Sequence, residues 1–276
     1  MTPDQVEDAG WSPELWAELN ELAARTAEEH AQLRTILPRG PDAPNAYSVE
    51  TSSFREADGV LSFQVATSKK VSRLSVRFRI EPEQLHDTHR IRDLVARAAV
   101  RLAQKEDHVL ALGYATAAPP DAAPPDEGLL RPGIPIVDCK DGHVEALTRA
   151  ARCIRSAGYA GTFRAALGFD VWTALATKDP DKTITGLDRA RLALGALDAA
   201  MIALPPHTES DASSIVFAPS PGALDLVWSK RTHIAYVGTT NGGLDLRVEE
   251  AFLLRVADPK ALVHVRPATA PKAASD

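Results

Sequence analysis

Cys139 and His143 stand four residues apart, and His86 and His89 three apart in the run LHDTH. Thiolate and imidazole are common zinc ligands, and two such pairs brought together would supply four donors. Spacing alone does not carry that far: the flanking residues match no zinc knuckle, so the expectation is solvated loop residues and no metal. Glu106-Asp107-His108 sets two carboxylates beside an imidazole, the residue types of acid/base catalysis. Consecutive residues on a helix point in different directions, which leaves the three poorly placed to share one site. They read as surface charge, with one carboxylate pinning a neighbouring loop.

Other catalytic signatures are missing. The chain has no G-x-S-x-G elbow, no G-x-G-x-x-G and no G-x-x-x-x-G-K-[ST] phosphate loop. Gly242-Gly243 after Asn241 reads as a tight hairpin turn rather than a nucleotide cradle. No catalytic residue and no cofactor is expected, and the chain reads as a structural protein, not an enzyme.

The elements that would position such residues follow from period and punctuation. Ser12-Pro13 opens a helix to about Leu33, with Trp16, Leu19, Leu22, Ala23 and Ala27 at helical spacing. The run from Pro38 to Asn45 stops it. From Gly59 to Ile80 the period is two: Leu61, Phe63 and Val65, a polar break at 67–70, then Leu74, Val76, Phe78 and Ile80. These two runs predict a long hairpin with too little core of its own, which must lie against a neighbour. Ile91 to Tyr114 is the clearest helix, ~36 Å long, with Ile91, Leu94, Val95, Ala98, Leu102, Val109 and Leu112 near one stripe.

A proline-rich connector occupies 115–135. A helix over 142–157, a strand over 163–167, a short helix over 171–177 and a helical stretch over 187–199 follow it. The last third alternates strands at 214–217, 224–227, 233–237, 244–256 and 261–265, and the tail over 267–276 is of low complexity.

With 276 residues, a net charge of −6 and no basic stripe, the chain is large enough for a substantial core and ill suited to coating nucleic acid. No apolar run reaches the ~18–20 residues that cross a bilayer. The segment 1–10, with Asp4, Glu7 and Asp8, has no basic or apolar region of a secretory leader, and Cys139 and Cys153 make no disulfide framework. A cytoplasmic protein with no membrane partner is expected.

Three ordered stretches carry a family resemblance: ARAAVRLAQKEDHVLALGY (96–114), GYAGTFRAALGFDVWTAL (158–175) and VEEAFLLRVADPKALVHV (248–265). They resemble the encapsulin shell proteins, the linocin-type bacteriocin family, which share the HK97 phage capsid-like fold. Trp16 in its helix, Gly40-Pro41 after it, and 72–87 resemble further parts of the family in the same order.

The resemblance implies an α+β coat protomer: an N-terminal arm and inner helix (1–47), an extended loop (48–75), a P-domain (76–145 plus 226–266), an A-domain (146–225) and a free tail (267–276). It implies a self-assembling icosahedral shell of ~60 copies or a small multiple. The enclosed cargo would carry a C-terminal targeting peptide, with ferritin-like proteins and dye-decolourising peroxidases as guests. Arg34, Ile36, Ile234 and Tyr236 fall where the family docks that peptide, and Lys230-Arg231 stand where the family often has Gln-Asp, which suits an acidic guest. Asp181, Lys182 and Thr183 fall where a pore could be lined. A phage major capsid protein, or a hydrolase with an unrecognised site, are the alternative readings.

Overall fold

The structure, a computed structural model, describes residues 11–50, 53–57, 60–64, 68–113, 128–131, 133–177, 183–204 and 212–268. Helix α1 (Pro13–His30) begins where expected: the Ser12 hydroxyl accepts from the Leu15 amide and proline takes the first turn. Its buried residues Trp16, Leu19, Ala23, Thr26 and Ala27 keep a helical period. The expected single helix to Leu33 is interrupted at Ala31, whose ψ of 100° is extended, and a short helix α2 (Gln32–Ile36) follows. The cause lies far away in sequence. The Asp107 carboxylate accepts from the amides of Gln32 (2.9 Å) and Leu33 (2.8 Å), as a cap residue would.

Beyond α2 the chain runs as an arm along one sheet edge. Gly40 N–H donates to the Leu226 carbonyl, Ala43 N–H to that of Trp228 and Asn45 N–H to that of Ser229. A side chain at Gly40 would meet the Val227 methyl at 2.9 Å and the Asp225 carboxyl carbon at 3.0 Å, so the arm lies this close only with glycine there.

Four short strands, β1 (Ser48–Glu50), β2 (Ser53–Ala57), β3 (Val60–Gln64) and β4 (Ser68–Lys70), form two antiparallel pairs, β1 with β4 and β2 with β3. The expected hairpin between the 61–65 and 74–80 runs does not form. The second run belongs to β5 (Ser72–Ile80), which instead pairs with a strand far along the chain. Its faces explain this: Leu74, Val76, Phe78 and Ile80 turn inward, and the partners of the last three, Val248, Leu246 and Leu244, continue the apolar surface.

Helix α3 (Thr88–Leu112) is capped by Asp87, which accepts from the Arg90 amide at 3.1 Å. Its buried stripe includes Ile91, Val95, Ala98, Leu102, Glu106 and Val109. It packs on α1 and on the three-stranded antiparallel sheet of β5, β10 (Leu224–Thr240) and β11 (Gly243–Val256), in the order β10-β11-β5. The expected strands at 224–227 and 233–237 are one strand with irregularities between Trp228, Lys230 and His233. Asn241 (φ 49°) and Gly242 (φ 79°) make the tight turn that joins β10 to β11, as expected.

The second layer is a five-stranded sheet of β6 (Ile136–Cys139), β7 (Arg164–Leu167), β8 (Met201–Ala203), β9 (Ser214–Phe217) and β12 (Leu262–Pro267). Its order is β6-β12-β9-β7-β8, with β6–β12 and β7–β8 parallel. Helices α4 (His143–Ser156), α5 (Phe169–Ala176) and α6 (Gly186–Leu194) build a second core with it around Leu147, Ile154, Phe163 and Leu194. The helical stretch expected to reach 199 stops at Leu194, where Gly195 turns left-handed. The Tyr159 hydroxyl donates to Asp258 (2.5 Å), between the ends of α4 and β11.

Candidate functional site

Four elements converge on the guanidinium of Arg34. From α2 it reaches both oxygens of Glu106 on α3, its Nε donating to Oε1 at 3.2 Å and its Nη2 to Oε2. The same Nη2 donates to Glu250 Oε2 on β11 at 3.0 Å, and Thr232 on β10 donates its hydroxyl to that oxygen at 2.9 Å. The guanidinium stacks 4.4 Å from the Trp228 ring centre, and Trp228 meets Phe252 edge-on at 5.5 Å. Both glutamate side chains are 0% exposed and that of Arg34 is 8% exposed.

Burial dominates the acidities. Desolvation pushes Glu250 up to about 8, helped by the charge of Glu106 and opposed by Arg34. It also raises Glu106 against the pull of Arg34, and takes Asp107 to about 7 despite the two amides that Asp107 accepts. The reading of Glu106-Asp107 as surface charge is therefore corrected: both are buried, one in an ion-pair network and the other as a cap. Asp107 does pin a neighbouring segment, from inside the fold. Glu250 gave no signal on its own, although its place opposite Leu74 in the register puts it on the inward face.

The other residues singled out lie as follows. Ile36 (3% exposed) and Ile234 (1%) belong to one hydrophobic cluster, against which the half-buried Tyr236 packs. The Ile36 carbonyl accepts from Arg164 at 2.5 Å. The Ile234 amide donates to Asn20 of α1 at 2.7 Å, and Tyr236 shares a 2.6 Å hydrogen bond with Thr239. A cleft of about 320 Å³ opens beside Arg34, lined also by Glu28, Thr35, Leu37 and Arg39. Thr183 is exposed; Asp181 and Lys182 lie outside the described residues.

Cys139 Sγ lies 3.4 Å from His143 Nδ1, and burial pushes that thiol up rather than activating it. His86 and His89 are exposed where α3 begins. Among the described residues no group of three or more His, Cys, Asp or Glu is placed to hold a metal. No described helix is long and apolar enough to cross a membrane.

A long helix lying on an antiparallel sheet, beside a second domain of mixed sheet and helices, is the architecture of HK97-type coat protomers. The virus-like particle from Pyrococcus furiosus superposes with a TM-score of 0.70 at 18% identity, covering 92% of this chain and all (100%) of that one. The holo-SrpI encapsulin complex from Synechococcus elongatus matches with a TM-score of 0.56 at 9% identity, over 85% of this chain and 86% of the other. A chain from Gordonia phage Cozz gives a TM-score of 0.59 at 14% identity, over 87% of each chain. Residues 1–253 match the linocin M18 family, described as "Encapsulating protein for peroxidase". The chain belongs to this encapsulin family, and it is a self-assembling shell subunit of the HK97 fold.

Proposed function

We propose that the subunit assembles into closed cytoplasmic shells of ~60 copies, or a small multiple, around an enzyme cargo, and that it has no turnover of its own. The observation that carries this is the match over residues 1–253 to a family described by the peroxidase it encloses. A peroxidase or a ferritin-like protein with a C-terminal targeting peptide is the proposed guest. The proposed division is arm (1–47), extended loop (48–75), P-domain (76–145 with 226–266) and A-domain (146–225), with Asp181, Lys182 and Thr183 at a pore.

Docking is proposed where α1 and the arm cross β10. Supporting it, Tyr236 is half-exposed beside buried Ile234, and Arg34 borders a small cleft next to Ile36. Arg231 of β10 adds a half-exposed cation beside the arm, where Asp42 already engages it at 2.9 Å. A guest peptide with Asp or Glu would compete for that charge.

A phage-capsid role is the second reading, favoured by the likeness to the Gordonia phage protein. The net charge of −6 disfavours packing DNA against the inner face. Electron microscopy of native particles with mass spectrometry of their contents tests both: closed shells holding a redox enzyme are expected. Monomers at every salt and concentration overturn the assembly, and nucleic acid inside favours the phage reading.

A further inference from the structure

Three carboxylates, Glu106, Asp107 and Glu250, are buried around one guanidinium, Arg34. Fully ionised, they would leave excess negative charge where water is excluded, which is costly. Arg34 Nη2 donates to Oε2 of both Glu106 and Glu250, so the two carboxyl groups meet at one nitrogen of a single cation. A proton on one of the two leaves a single negative charge facing Arg34, and the neutral carboxyl can donate as well as accept. Glu250 Oε2 is occupied by Arg34 and Thr232, while Oε1 is buried with no hydrogen-bond partner among the described residues.

Ion pairs of neighbouring charges among the described residues go to other partners. From α1, Glu28 reaches the cleft beside Arg34 and pairs with Arg39 at 3.3 Å. A second cleft of about 300 Å³ borders Glu250 with Arg73, Lys230, Arg247 and Glu249. There Glu249 takes Lys230 and His233 at 3.0 Å and Arg247 at 2.5 Å. Arg231 lies over the Trp228 ring at 5.3 Å.

We propose that Glu106 and Glu250 share one proton in the folded subunit at neutral pH, and that this shared proton latches the N-terminal arm to the shell body through Arg34. Opening the latch moves Arg34 out with α2, exposes both carboxyls to water and releases the proton to solvent. The inference concerns the subunit fold and stands whether or not cargo docks nearby.

The sign follows from linkage. Glu250 sits near 8 when folded against an ordinary 4.5, so the open state binds fewer protons between those values. The latch is at full strength below about pH 4.5, weakens as pH rises, and levels off above about pH 8. Asp107, raised to about 7, adds its own contribution below that value.

The test is amide exchange of residues 32–37 in assembled shells, corrected for base catalysis. In the wild type this proton alone makes opening about tenfold more frequent per pH unit across the window. Glu250→Gln, whose amide supplies the hydrogen permanently, should remove one proton's worth of that slope and keep the arm protected through about pH 8. An equal slope in both proteins overturns the proposal. Should Glu250→Gln fail to assemble, infrared spectra of wild-type shells decide. A protonated-carboxyl band that titrates away near pH 8, above the Asp107 step, supports the latch, and its absence at neutral pH overturns it.

Discussion

The carboxylate of Asp107 lies 2.8 Å from the amide nitrogen of Leu33, a residue 74 positions earlier in the chain. One side chain of the long helix thereby caps a helix it does not belong to. Its other oxygen accepts from Gln32, so the α1–α2 break is fixed by α3 rather than by any signal in the arm. Removing both acceptors by Asp107→Ala should destabilise the subunit by about 1–2 kcal/mol, as other cap deletions do. Asp107→Asn keeps one acceptor oxygen and should cost less. Denaturant midpoints of the two variants check the order; equal losses would mean the cap contributes nothing.

Arg34→Ala should be the harsher change. It strands two carboxyls that are both 0% exposed, and breaking a buried pair costs about 3–5 kcal/mol. Protonation relieves that penalty, because burial raises the pKa of Glu106 and Glu250 and so makes their neutral forms accessible. The loss in unfolding free energy should therefore be smaller at about pH 5 than at about pH 8. A penalty that grows as the pH falls would show that the guanidinium is not the partner that matters.

The β10–β11 turn separates two reasons for glycine. Gly242 is left-handed at φ 79°, whereas a side chain on Gly243 would meet the Ile80 carbonyl oxygen at 2.7 Å. Asparagine tolerates the first conformation, so Gly242→Asn should lose under about 1 kcal/mol. Gly243→Asn must push backbone against backbone between β11 and β5 and should lose about 1–3 kcal/mol. Thermal unfolding of the two variants side by side is the measurement, and a reversed order would refute the close approach.

How far the sequence could be read depends on where each determinant lies. The first helix opening, the long helix and the Asn241-Gly242 turn were legible because cap, stripe and turn residues act within a few positions. Glu106 was misread although its position was in plain view. The stripe 91, 95, 98, 102 continues through 106 to 109, and only its charge argued for the surface. A buried carboxylate needs a partner, and Arg34 lies 72 residues away from it in sequence. The pairing of β5 with β11 was hidden for the same reason, since the nearest apolar run suggested a local hairpin. By resemblance, Ile36 and Ile234 stand where the family docks its guest peptide, and their apolar type does not distinguish a core position from the floor of a groove.

That last distinction shapes the cargo experiment. Ile36 and Ile234 are packed in the empty subunit, so alanine at either position removes core contacts, at about 2–5 kcal/mol, whatever it does to docking. Tyr236 is different: its ring is half-buried and its hydroxyl shares a hydrogen bond with Thr239, three residues along the same strand. Tyr236→Ala should leave shell assembly intact and lower the melting temperature less than either isoleucine change. If the guest peptide lies along this strand, the lost anchor should weaken each docking event by about 1–3 kcal/mol. A multivalent guest gains its retention from several such events at once, so loading should fall more steeply than one site's affinity. Mass spectrometry of purified native shells, with cargo normalised to shell protein, reads the effect. Full loading of Tyr236→Ala shells would move the docking site off β10.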